Sequence, residues 1–347
     1  MNALTLITGA TGFLGHTLCP YLVERGYPLR ALVRPSSTWD FVRDLGVELR
    51  WGDIREPDAV HAAVQGCRAV IHAAGEFRFW GKRDDFFTVN LEGTRTMLEA
   101  ARQAQVERFI YISTVAVVGA PHSSTVIDEE YPPAPQDDYQ RSKLAAEHLA
   151  LHYYHHYGLP SIVLRPGAFY GPGSRYAFNR LFFEDPLKGI QVQVHHGKHV
   201  NFPIYIQDVA QAIERALERG RPGQVYNVSG PSISHQETNQ IIDGLLGYHI
   251  PRFNAPAWAM LLLARMWTGL AQYTGKEPYY PINLASYVFY DWQVSSEKAR
   301  RELGFVPTPF EEGARQTLAW YRELGVGPTN WLTKLITRIT WKKRRNG

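Results

Sequence analysis

The sequence predicts an α/β fold, a doubly wound parallel sheet with a smaller C-terminal lobe laid over the carboxyl ends of its strands. Three observations carry this. The N-terminus runs strand, glycine-rich turn, helix, strand. Short apolar runs then alternate with helical patterns as far as residue 228. That alternation breaks over residues 170–202 and again after Gly230, where aromatics, prolines and glycines take over.

Residues 3–8 form the first apolar strand. It runs into Gly9-Ala10-Thr11-Gly12-Phe13-Leu14-Gly15, then into a helix over residues 17–25 that stops at Gly26. Residues 29–33 make the second strand. Gly9 permits a tight turn, Gly12 lets the backbone approach a pyrophosphate, and Gly15 lets helix and strand pack closely. The helix N-terminus then offers free N–H groups and a positive dipole end. A glycine pattern between a strand and a helix is a strong signal, where the same glycines without that context would be weak. Further strands are expected at residues 48–51, 69–72, 109–112, 161–164 and 225–228. Helices are expected at 57–64, 89–104, 139–157 and 209–219. Right-handed crossovers cover both faces of such a sheet, and ligands bind beyond its carboxyl edge. The expected division is a dinucleotide-binding domain at 1–169, completed by about 203–230. The substrate lobe is then 170–202 with 231–325, and a tail spans 326–347.

Composition bounds the alternatives. In 347 residues, 45% are apolar and 20% charged, which excludes disorder, collagen and coiled coil as the main architecture. No apolar run approaches the ~20 residues that cross a bilayer. No signal peptide is expected at the N-terminus. Cys19 and Cys67 alone make neither a disulfide framework nor a zinc site, so a reducing, cytoplasmic setting is expected. The net charge of +4 divides into +6 on residues 324–347 and −2 on the body, so no nucleic-acid partner is expected.

Tyr139-Gln-Arg-Ser-Lys143 opens a helix, and its i, i+4 spacing puts the phenol and the ammonium on one face. A phenol ionises near pH 10, and a nearby cation lowers that value. Such a tyrosine can pass a proton to or from a hydroxyl or carbonyl oxygen. Tyr–Lys pairs at this spacing are also common on helix surfaces. Thr114 lies just past the strand 109–112, where its hydroxyl could hold the same substrate oxygen. Ser113 is adjacent and could share that work.

Gly9 to Gly15, Gly52-Asp53, His72-Ala73-Ala74-Gly75, Asn90-x-x-Gly93-Thr94, Thr114 and Tyr139/Lys143 stand in this order. Arg165-Pro166-Gly167-Ala168-Phe169-Tyr170-Gly171-Pro172-Gly173, Asp208-Val209-Ala210 and Tyr226-Asn227-Val228 follow. Over about residues 1–325 the chain resembles the extended short-chain dehydrogenase/reductase family, which has a Rossmann fold. It looks like the branch of dihydroflavonol reductases, 3β-hydroxysteroid-dehydrogenase-like proteins and hopanoid-associated sugar epimerases. Residues 273–278 and 295–305 resemble that last group. The resemblance implies Tyr139 as acid/base, Lys143 as its activator and a ribose contact, and Thr114 as the hydroxyl partner. It implies a cofactor held by Gly9, Thr11, Gly12, Phe13, Leu14 and Gly15. Asp53 and Ile54 would lie at the adenine. Ala73, Ala74, Gly75 and Asn90 would line the cofactor, with Pro166, Gly167, Ala168 and Phe169 facing the nicotinamide. It also implies a homodimer through the helix that carries Tyr139. The family more often has serine where Thr114 stands, and its usual tyrosine before Gly119 is Val118 here.

An NAD site usually carries an acid at the end of the second strand. Here Val33 is followed by Arg34, whose guanidinium suits a 2′-phosphate. NADP is therefore the expected cofactor, with NAD the alternative; Arg34 capping a surface strand is the plainer reading. The expected reaction is hydride transfer at a hydroxyl or ketone carbon of a small apolar substrate, sterol- or terpenoid-like. Phe77, Phe79 and Trp80 beside the cleft lean that way. The alternative is a nucleotide-sugar epimerase or dehydratase, and a third reading is a dinucleotide sensor without chemistry.

Three further features are read as structural or open. His148, His152, His155 and His156 on one helix, and His195, His196 and His199 in the lobe, are not expected to bind metal. Residues 257–271 are strongly apolar and are expected to be lobe core, with a lid or a membrane-facing surface as alternatives. Trp331, Leu332, Leu335, Ile336 and Ile339 alternate with Lys334, Arg338 and Lys342. That pattern suits a helix in an anionic membrane interface and equally a solvated or docked tail.

Overall fold

The computed structural model describes residues 4–121, 125–189 and 192–327. The tail read above as amphipathic lies outside the described residues from 328 onward.

The elements follow the βα rhythm. They are β1 Thr5–Thr8, α1 Phe13–Glu24, β2 Leu29–Val33, β3 Glu48–Trp51, α2 Pro57–Val64, β4 Ala69–His72, α3 Gly93–Gln103, β5 Arg108–Ile112, α4 Asp138–Tyr157, β6 Ser161–Pro166, α5 Ile206–Arg219 and β7 Val225–Val228. The strands form one parallel sheet in the order β7-β6-β5-β4-β1-β2-β3. Strands β1, β2, β4 and β6 are buried along their whole length, as expected when helices cover both faces. One apolar core joins α1, α5 and the lobe to one face. The other packs α2, α3 and α4 against the opposite face.

Most expected boundaries hold within a few residues. Helix α1 starts at Phe13, four residues before its expected start, because Gly12 already caps it. The helix expected over 89–104 is interrupted. Phe87–Glu92 is a π-helical turn, and regular helix begins at Gly93. Such turns re-aim side chains and are frequent at functional sites.

The lobe is built from short pairings. Ala168–Tyr170 pairs with Pro203–Tyr205, Val200–Asn201 with Ile233–Ser234, and Val192–Val194 with Phe253–Ala255. Helices α6 His235–Leu246, α7 Ala257–Thr274, α8 Glu297–Leu303 and α9 Phe310–Glu323 complete it. Helix α7 departs from expectation. It is not lobe core, since only Ala264 and Ala271 are buried in it. No helix among the described residues is long and apolar enough to cross a membrane.

Candidate active site

The carboxyl ends of β1, β4, β5 and β6 converge on one cleft. Gly9 leaves β1 with φ +77°, and a Cβ there would lie 2.8 Å from the backbone of Ala73 and Ala74. Gly15 is tighter, because its Cβ would fall 2.1 Å from the Ala10 carbonyl oxygen. Gly12 has only the Gly9 carbonyl near it, at 3.3 Å, and otherwise faces open space. Helix α1 has no side-chain cap on its first turn. That turn therefore offers backbone N–H groups and an open approach, which fits a pyrophosphate. Phe13 meets Phe169 edge-on at 6.3 Å, so the glycine turn and residues 166–169 face each other. The Leu14 side chain is buried in the core, so it offers the cleft only its backbone.

Arg34 is exposed just past β2. It acts on Asp53, whose carboxyl Arg55 holds below the usual range, with Arg34 adding to the effect. Arg55 grips both Asp53 oxygens at 2.8 and 3.0 Å. Ile54 is buried against Gly93.

Behind β4, His72 ties three segments together. Thr94 donates its hydroxyl proton to the Asn90 carbonyl at 2.6 Å. Its oxygen must therefore accept from Nε2–H of His72, 2.9 Å away. Nδ1 is then a lone pair, and the Thr8 hydroxyl donates to it at 2.8 Å. Thr8 in turn accepts from the Ala74 N–H at 3.2 Å. Burial pushes the imidazole down to about 3, with the Lys143 charge adding to it. The native state thus keeps His72 neutral, while the unfolded chain takes a proton below about pH 6.5. Its contribution to stability is full above pH 6.5 and is lost as pH falls towards 3, at about 1.4 kcal/mol per pH unit. In urea melts, the stability gap between wild type and His72→Gln should shrink at that rate below pH 6.5. A gap that stays constant between pH 7 and 5 would contradict the assignment.

Asn90 sits in the π-helical turn and is buried. It accepts from the Glu76 N–H at 2.7 Å and donates to the Glu76 carbonyl at 3.0 Å and the Ser142 hydroxyl at 2.9 Å. Ser142 donates to the Tyr139 carbonyl at 2.8 Å. Asn90 therefore fixes the strip after Gly75 to the first turn of α4. Gly75 itself is exposed to the cleft.

Helix α4 is capped by Asp137, which accepts from the Gln140 N–H at 2.8 Å. Tyr139 follows and shares a hydrogen bond with the Thr114 side chain. Thr114 is held by accepting from the Ala116 N–H at 3.1 Å. Lys143 lies one turn on and donates to the Ile112 carbonyl at 2.6 Å, with its ammonium 4.4 Å from the Tyr111 ring centre. Burial pulls Lys143 down to about 7, against the pull of Glu147. The phenol differs from expectation. Burial pushes it above its ordinary value, Asp137 adds to the rise, and the Thr114 hydrogen bond opposes it. A protonated phenol at neutral pH is a proton donor.

Ser113 does not share this work. It is buried and donates to Glu147 at 2.7 Å, because successive residues of an extended chain point to opposite faces. Arg165 closes the same buried group with three bonds to Glu147.

Phe77 and Phe79, expected beside the cleft, stand there, whereas Phe86, Tyr176 and Tyr287 had no local signal in the sequence. Phe77 packs on Tyr139 with ring centres 4.8 Å apart, and Phe86 lies 6.4 Å from it. Phe79 touches Phe77, Tyr176 and Tyr287 at 5.3, 5.5 and 5.2 Å. The Tyr176 hydroxyl accepts from the Phe79 N–H at 3.1 Å and donates to Glu277. Tyr287 accepts from Gln140 at 3.1 Å. An apolar cavity in the lobe shares this segment, with Leu284, Ala285, Val288 and Phe289 in its wall beside Leu181, Phe182 and Leu261. Arg252 is the lone Arg or Lys among the described residues of that wall, and it is held by both oxygens of Asp243 at 2.9 Å. Of the lobe histidines, His195 and His199 bond at 2.7 Å, and His199 meets Asp291 at 3.1 Å. Among the described residues, no group of three or more metal-type ligands converges.

Comparison with known proteins agrees with this geometry. The profile of the NAD dependent epimerase/dehydratase family matches residues 5–229. Sterol demethylase protein B of Methylococcus capsulatus is 29% identical, over 93% of this chain and 99% of that protein. A 2-alkyl-3-oxoalkanoate reductase of Stenotrophomonas maltophilia is 30% identical, over 90% of this chain and 98% of its own length. The crystal structure of Thermus thermophilus UDP-glucose 4-epimerase with NAD superposes with a TM-score of 0.72 at 26% identity, covering 92% of this chain and 99% of that one. The glycine turn, the parallel strand order and these matches agree, and the chain belongs to the NAD-dependent epimerase/dehydratase family of nicotinamide-dependent enzymes.

Proposed function

We propose that this enzyme interconverts a ketone and a secondary alcohol on a small apolar substrate, sterol- or terpenoid-like, using NADP(H). The observation that carries the reading is the aromatic wall at Tyr139, made by Phe77, Phe79, Tyr176 and Tyr287, with the apolar lobe cavity sharing its last segment. A nucleoside diphosphate would ask for uncommitted cations, and the one Arg in the cavity wall is already paired. Two of the relatives are named for substrates with a large hydrocarbon part, a sterol and a 2-alkyl-3-oxoalkanoate, although another is named a dTDP-glucose 4,6-dehydratase.

When bound, the nicotinamide supplies and accepts the hydride. The backbone of residues 9–15 would hold the diphosphate, and residues 166–169 would meet the nicotinamide. Tyr139 delivers the proton to the carbonyl oxygen, and Thr114 orients that oxygen. Lys143, bonded to the Ile112 carbonyl, would meet the ribose. Phe77 and Phe79 exclude water from the reacting carbon.

The test is turnover of NADPH against a panel of cyclic and steroidal ketones, with UDP- and dTDP-sugars run beside them. Oxidation of NADPH by the ketones is the expected result. Conversion of a nucleotide sugar with no net cofactor consumption would replace this reading with the epimerase one. Arg34 would sit at the 2′-phosphate. Arg34→Ala should weaken NADPH about 10- to 100-fold, the loss of ~1.5–3 kcal/mol of charge-assisted bonding, and leave NADH unchanged. Equal losses for both cofactors would show that Arg34 does not read the phosphate. The homodimer through α4 is part of the same proposal, and sedimentation of the purified chain tests it.

A further inference from the structure

Helix α7 carries an exposed apolar stripe. Trp258, Leu262, Met266, Leu270 and Tyr273 follow one another at four, four, four and three residues, so they lie on one face. They are 69%, 51%, 64%, 59% and 89% exposed. Phe253, just before the helix, is 70% exposed as well. The opposite face of the same helix is committed. Met260, Leu261 and Ala264 line the lobe cavity, and Trp267 stacks on Tyr280 with ring centres 5.8 Å apart. One face thus borders an apolar cavity, and the other presents a row of large apolar side chains to the outside.

Such a patch calls for an occupant, and charge indicates which. From Phe253 to Gly275 the only charged residue is Arg265, beside the stripe. Its position is close to the middle of α7. A symmetric antiparallel pairing of two copies through this face would bring the two guanidiniums together, with no carboxylate on the helix to meet them. An anionic lipid surface has the opposite effect, because it accepts Arg265, Lys276 and the basic C-terminus, where residues 324–347 carry six cations and no acid. Trp258 and Tyr273 end the stripe with side chains that favour the boundary between headgroups and hydrocarbon. With one face packed on the lobe and too little apolar character to cross a membrane, α7 suits lying in such a surface.

We infer that α7 is a membrane-surface helix. It docks on anionic bilayers through Trp258, Leu262, Met266, Leu270 and Tyr273, and the cavity behind it receives its ligand from the lipid. The docking stands on the stripe and the charge. The loading step rests on the function proposed above.

The experiment is co-sedimentation of the full-length protein with vesicles of phosphatidylcholine, with and without phosphatidylglycerol. Wild type should partition to the anionic vesicles. The Leu262→Glu/Met266→Glu variant should lose at least ~tenfold in that partitioning, as expected for two large apolar side chains that no longer enter the lipid. Leu270→Ser, a milder change outside the cavity wall, should lose less in the same direction. The melting temperature and the turnover of a water-soluble ketone should be unchanged in both, since these side chains are exposed and touch neither cavity nor cleft. Wild type that stays in solution with both vesicle types overturns the inference. So does a charged-stripe variant that binds like wild type, since the basic C-terminus would then act alone. A stripe variant that turns a wild-type dimer into a monomer without affecting vesicle binding also overturns it in favour of a second copy. Failure of ketone turnover together with intact vesicle binding would count against the proposed function and not against the docking.

Discussion

Tyr139→Phe is expected to lower kcat for ketone reduction by ~10²–10⁴-fold, with NADPH affinity close to that of wild type. The substitution removes one oxygen and little else. The ring keeps its packing on Phe77 and Phe86, and the helix keeps its Asp137 cap. Only the bond shared with Thr114 disappears. A large drop in rate with an unchanged melting temperature therefore assigns the phenol to proton transfer. Burial holds Tyr139 protonated well above neutral pH, with the Asp137 carboxylate adding to the effect. Reduction draws on that protonated form. Thr114→Val should fall between the variant and wild type, since it removes the partner that orients the oxygen and leaves the proton donor. Retention of more than a tenth of the activity in Tyr139→Phe would remove the residue from the chemistry and favour a sensor that binds dinucleotide without turnover.

The parts of the fold that depend on neighbouring residues were legible in the sequence. Five elements, at 29–33, 48–51, 57–64, 69–72 and 225–228, have the bounds that their patterns predict. For the strands 29–33 and 69–72 the reason is burial at every position, since a strand covered on both faces writes itself as an apolar run; the edge strand 48–51 is mostly exposed, and 57–64 is a helix with one buried face. The glycine turn was legible as well. Gly9 and Gly15 each face backbone that leaves no room for a Cβ. The π-helical turn at Phe87–Glu92 was not legible, since it shares its composition with ordinary helix. The site divides along the same line. Tyr139, Lys143 and Thr114 lie on elements whose ends the sequence marks. Tyr287 reaches Phe79 and Gln140 from a distant part of the chain, and no local pattern announces that contact. The phenol's raised pKa was also hidden, because spacing shows that a lysine is near and says nothing of burial. Helix α7 was apolar enough to pass for core, and only packing shows that half of that apolar surface has no cover.

Breaking the ion pair beneath the site is expected to have the largest effect on stability. Glu147 and Arg165 have side chains only 1% and 6% exposed. Glu147 takes three bonds from Arg165 and one from Ser113. Removing one partner leaves the other charged and buried, so Glu147→Ala or Arg165→Ala should cost about 3–5 kcal/mol, read in urea melts. The pair has a second consequence. Glu147 stands one turn after Lys143 on α4 and raises the lysine against the burial that draws it down to about 7. Without the carboxylate, the lysine loses its proton at lower pH, and the limb of the pH–rate profile that follows its charge should move to the acid side. The double variant Glu147→Leu/Arg165→Met separates the two roles. Filling the space with apolar side chains should return most of the lost stability, since no charge is then left unpaired. The shifted limb should remain, because nothing in the double variant restores a negative charge near Lys143. A double variant that regains stability with the wild-type profile would make the pair a structural element alone. A stable double variant with a displaced limb would make Glu147 a positioning residue for the site, acting through Lys143.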